Sequence, residues 1–160
     1  MHRRLRALTA LVAALTVASL STAATANAAT STTCTTGISA TFTPGLGTTG
    51  SAQTVAITGK VAGCSGGVVS GGKIHGSMSS ANFSCAGGMA TGHLHVRWNT
   101  GVTSSIHVSV TLSGTSVAIA GKVKKGLFVG DTAGASLRLT GLTGNCTTSP
   151  ITAATFTGTF

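Results

Sequence analysis

Acidic side chains are almost missing from this 160-residue chain: Asp131 is the only one, against ten lysines and arginines. That single scarcity excludes a great deal of chemistry. Two-carboxylate glycoside hydrolysis and aspartyl-protease chemistry cannot be assembled from one carboxylate, nor can a carboxylate-rich Ca²⁺ site or a two-metal centre. A Ser-His-Asp triad would have to use Asp131, yet no Gly-x-Ser-x-Gly occurs, and Gly134-Ala135-Ser136-Leu137-Arg138 fails at its last position. Asp131 stands between Gly130 and Thr132, where a carboxylate ordinarily bonds nearby backbone N–H groups in a turn. No glycine-rich phosphate loop with a following Lys-Ser/Thr exists, and no Cys-x-x-Cys. Tyrosine is absent, and the remaining aromatics are Trp98 and five phenylalanines, too few to interleave with basic residues as a nucleic-acid or sugar-stacking surface. No enzymatic activity is expected, and nucleic acid is not the expected partner.

What is present begins with a leader. His2, Arg3, Arg4 and Arg6 precede an apolar run from Ala7 to Leu20, and small residues follow, ending Ala26-Asn27-Ala28. This reads as a signal peptide over 1–28 with cleavage after Ala28, because the run is too short and alanine-rich to span a bilayer. Secretion to the extracellular space is the expected localisation, and nothing later in the sequence is long and apolar enough to be a transmembrane segment. The remainder, 29–160, suits one domain with one core. It keeps Lys60, Lys73, Arg97, Lys122, Lys124, Lys125 and Arg138 against Asp131, a net charge of +6. A basic exported protein is drawn to polyanions, which outside a cell means anionic envelope polymer or acidic polysaccharide, and Lys60, Lys122 and Lys124 are the candidate anion-binding residues. The plain reading of the same charge is solubility. A monomer is expected.

Gly, Thr, Ser, Ala and Val dominate, and short alternating runs recur. Strands are expected near 34–43, 53–63, 72–83, 89–98, 102–112, 115–124, 134–141 and 151–160, separated by Gly-, Pro- or Ser-containing turns. Eight strands with short turns make an all-β, up-and-down antiparallel sheet, closed as a barrel or flattened as a sandwich. Alternating strand direction then sorts the four cysteines by end. Cys34 and Cys64 fall at one end, Cys85 and Cys146 at the other, which selects two disulfides out of three connectivities. Taking 34 with 64 as a register pairs Phe42 with Ala56. Val55–Val61 and Val117–Val123 echo one another, and in each an inward glycine, Gly59 or Gly121, permits a bend or the close approach of a large neighbour such as Trp98.

The hairpin at 93–112 carries the most specific expectation. Leu94, Val96 and Trp98 alternate with His93, His95 and Arg97, and Ile106, Val108, Val110 and Leu112 alternate with His107, Ser109 and Thr111. A three-residue loop at Asn99-Thr100-Gly101, with Gly101 left-handed, sets Trp98 opposite Val102, Leu94 opposite Ile106 and His93 opposite His107. Trp98 is then in phase with the core rather than a sugar platform. His93 and His95 share a face about 7 Å apart, and His107 joins from the next strand. Three imidazoles so placed could bind Zn or Cu with an open position for water, the alternative function, in which His75 has no part. The leading expectation has no cofactor.

The leader, Gly59-Lys60-Val61-Ala62-Gly63-Cys64, Phe83-Ser84-Cys85, Arg97-Trp98-Asn99-Thr100-Gly101, the stretch Gly121–Gly130 and the closing strand Ile151–Phe160 resemble a family of small secreted all-β proteins of actinobacteria. The resemblance implies secretion, four cysteines and a β architecture, and it supplies no catalytic residue. The chain departs from the family pattern at His93 and His95, where that pattern has Thr or Ser.

Overall fold

Every expected strand is present in the computed structural model, which describes residues 32–160; the leader and its cleavage point lie outside the described residues. The strands are β1 (Thr33–Leu46), β2 (Ser51–Ser65), β3 (Gly71–Ser84), β4 (Gly87–Trp98), β5 (Thr103–Ser113), β6 (Ser116–Lys125), β7 (Thr132–Thr143) and β8 (Ile151–Thr159). Each pairs antiparallel with the next, and β8 pairs antiparallel with β1, so the sheet is a closed barrel rather than an open sandwich. Closure leaves no edge with unpaired backbone groups.

Period-two alternation accounts for the inside of the barrel. Along β1, Cys34, Thr36, Ile38, Ala40 and Phe42 are buried while Thr33, Thr35, Gly37, Ser39 and Thr41 are exposed. Leu94, Val96 and Trp98 of β4 and Ile106, Val108 and Val110 of β5 complete the same core, each at most 5 % exposed. The result is apolar inside and polar outside, the inverse of the lipid-facing band of a membrane barrel. Among the described residues no helix is long and apolar enough to cross a membrane.

Disulfides join Cys34 to Cys64 and Cys85 to Cys146, one at each end of the barrel, as strand alternation requires. The β1–β2 register differs from expectation. Phe42 faces Val55, not Ala56, because a bulge between Thr33 and Thr35 shifts the pairing by one residue. The physical reason is side-chain parity: inward residues are even-numbered on β1 and odd-numbered on β2, so Phe42 opposite Ala56 would set a core ring against a solvent-facing methyl. Gly63, at a φ of 58°, lies in the bulge, where β2 carries one more residue than β1 and Cys64 still reaches Cys34.

The inward glycines do what barrel curvature demands. A Cβ on Gly59 would stand 2.5 Å from the Gly37 carbonyl oxygen, and one on Gly121 would stand 2.5 Å from that of His107. The close neighbour is thus the backbone of the adjoining strand. Trp98 makes its own close backbone approach elsewhere, to Gly72.

Candidate functional site: a cationic and imidazole belt

Position in the belt is set by the β4–β5 turn, which forms as its residues require. The Trp98 N–H donates to the Val102 carbonyl and the Gly101 N–H to the Trp98 carbonyl, both at 2.9 Å, with Gly101 at a φ of 84°. Asn99 ties this turn to the β2–β3 connection, its N–H donating to Gly71 and its Oδ1 accepting from the Ser70 N–H. Beneath the turn Trp98 is core, 5 % exposed, with Phe128 edge-on at a centroid distance of 5.4 Å. The indole Nε1–H donates to the Ser104 Oγ at 2.9 Å, and that hydroxyl donates to the Leu127 carbonyl at 2.7 Å. Ser104, fully buried, was not marked by any sequence pattern, since in period-two alternation it simply occupies a core position as a polar residue.

With the inside of β4 and β5 so fixed, their outward residues fall into cross-strand rows that continue onto β2, β3 and β6. In the first row Lys60 faces Lys73, and Lys73 faces Arg97. In the second, His75 faces His95, His95 faces Ser105, and Ser105 faces Lys125. In the third, Ser77 faces His93, His93 faces His107, and His107 faces Lys122. All are exposed except His95 and Ser105, which are half-buried. Together with Lys124 these rows hold six of the seven basic side chains found after residue 28; Arg138, on β7, is the other. The belt passes round half the barrel, whereas the outward residues of β8 and β1 are mainly Thr, such as Thr155, Thr157, Thr35 and Thr41.

The register of the imidazoles is as expected for His93 and His107, whose rings stack at a centroid distance of 4.7 Å with planes 13° apart. His75, set aside in the sequence reading, is part of the cluster: its ring stacks on His95 at 5.3 Å and 22°. The four rings therefore form two face-to-face pairs rather than three converging donors. Nitrogen lone pairs lie in the ring planes, so stacked rings do not aim them at a common point, and among the described residues no three His, Cys, Asp or Glu are grouped to hold a metal ion.

The candidate lysines are not one contact point. Lys122 shares β6 with Lys124, while Lys60 stands four strands away on β2, joined instead by Lys73 and Arg97. Asp131 lies outside the belt, in the β6–β7 connection. Its backbone holds that turn, the N–H donating to Phe128 and the carbonyl accepting from Val123, both at 3.0 Å. It borders a cleft of about 260 Å³ at this end of the barrel, with Trp98, Phe128 and Phe160. No protein-family model matches the chain. Nor does any curated protein match it significantly.

Proposed function

We propose that the protein is a secreted, non-enzymatic β module that docks on anionic envelope polymer or acidic polysaccharide through the β2–β6 belt. The observation that supports this most is the row Lys60–Lys73–Arg97. Like charges directly opposite one another across strands destabilise a sheet, with side chains rooted about 5 Å apart. Solubility is served as well by dispersed charge, so three cations set shoulder to shoulder, with no carboxylate in the rows to offset them, fit a surface completed by an external anion. Arg97 adds a planar fork that matches phosphate and carboxylate oxygens in pairs.

The reading is tested by retention of the purified protein on immobilised anionic polymers, one phosphodiester-bearing and one uronic-acid-bearing. Binding should be screened out above a few tenths molar salt, where the Debye length is about 5 Å. The variant K60S/K73S/R97S should elute well before wild type. Retention unaffected by salt, or unchanged in that variant, overturns the proposal. The two polymers distinguish which anion is preferred.

A further inference from the structure

We infer that this docking is proton-gated: His75, His93, His95 and His107 form a four-imidazole block inside the belt that adds to its charge as pH falls from 8 to 5. The inference rests on the docking proposal and deepens it. Its geometric basis is the placement of the two stacked pairs, which stand between the Lys60–Lys73–Arg97 row and the β6 lysines. Imidazole is the side chain whose ordinary range of protonation falls between pH 5 and 8. Full protonation would take the belt from six positive charges to ten.

The surroundings of the block decide which way a proton acts. His75 faces Thr58 on β2 and His95 on β4; His95 also faces Ser105 on β5. His93 faces Ser77 on β3 and His107 on β5; His107 also faces Lys122 on β6. Two residues away along the same strands stand Lys73, Ser77, Thr91, Arg97, Ser105 and Ser109. None of these is a carboxylate. In the free protein, then, protonating stacked rings 4.7 and 5.3 Å apart sets like charges together, beside lysines, with no internal anion to receive them. A polyanion lying across the belt supplies that counter-charge, so the polymer-bound state takes up protons more readily than the free state. By linkage, acidification must then strengthen binding. Neutral imidazoles keep the belt at the strength of its lysines and Arg97, and protonated ones add donors that point outward to the same ligand.

The test uses dextran sulfate, whose sulfate esters stay fully charged over this range, and the mature protein with both disulfides intact. Affinity is measured by calorimetry at pH 8 and pH 5 in the same ionic strength, with EDTA present. Wild type should bind about ten- to a hundred-fold more tightly at pH 5, the sum of four outward-facing surface ion pairs of ordinary strength. H75Q/H93Q/H95Q/H107Q should show no tightening between pH 8 and pH 5. Matching far-UV circular dichroism would show that the outward substitutions leave the barrel intact. Tight binding with equal affinity at both pH values overturns the gate and leaves the docking proposal standing. Absence of binding at either pH overturns docking itself. Tightening at pH 5 that persists in the four-histidine variant overturns the assignment to these imidazoles.

Discussion

Replacing Ser104 with alanine should be the most damaging single-atom deletion in the barrel. The hydroxyl accepts from the indole of Trp98 at 2.9 Å and donates to Leu127 at 2.7 Å, and Ser104 is fully buried. Its loss orphans an N–H that is sealed in the core, at about 1–3 kcal/mol, and weakens the hold on the half-buried Leu127 segment by up to about 1 kcal/mol more. The expected loss is therefore about 1–4 kcal/mol, which for a domain of this size lowers Tm by roughly 3–15 °C. Trp98 is the only tryptophan, so its emission in a urea titration reads both the global transition and the local site. Ser39→Ala, at an exposed position on β1, should stay within about 0.5 kcal/mol of wild type and serves as the reference. In a Trp98→Phe background, followed by circular dichroism, Ser104→Ala should cost about 1 kcal/mol or less, since no indole N–H remains to be stranded. A Ser104→Ala loss below about 0.5 kcal/mol with unshifted emission would refute the reasoning, as would an equal cost in both backgrounds.

Two further outcomes follow from the fold. Gly121→Ala should destabilise by about 1–3 kcal/mol, because its Cβ would meet the His107 carbonyl at 2.5 Å and Val108 at 2.9 Å, and neither a strand backbone nor a packed core yields freely; a thermal melt matching wild type would show that the strands can part at that point. Cys85→Ala/Cys146→Ala, which opens a sequence separation of 61 rather than the 30 of Cys34 and Cys64, should lose about 4 kcal/mol in urea, slightly more than removing the other bridge; a native protein whose mass equals that of the all-thiol form would contradict both bridges.

Much of the architecture is legible in single strands. Ile38, Ala40 and Phe42 alternate with Ser39 and Thr41, Leu94 and Val96 with His93 and His95, and alternation of period two is a local property that needs no partner to be read. The β4–β5 pairing was legible as well, since Asn99-Thr100-Gly101 is a short turn whose geometry sets the register of everything it joins. Strand direction alone was enough to assign Cys34 to Cys64 and Cys85 to Cys146.

Pairings that cross a bulge were decided only by the tertiary structure. Phe42 opposite Val55, rather than Ala56, depends on one extra residue at Gly63, and His75 opposite His95 depends on a register shift between Ser79 and Phe83 that no residue pattern announces. The same holds for closure, since the pairing of Ile38 with Phe156 joins the two ends of the domain and is selected by the curvature of the whole sheet. The candidate site inherits this division. Each of Lys60, Lys73, Arg97 and the four histidines can be assigned to a polar strand face from its neighbours in sequence. That Lys60, Lys73 and Arg97 form one row, and the imidazoles two stacked pairs rather than one converging triad, follows from hydrogen-bond ladders between strands, which place residues side by side without regard to their distance along the chain.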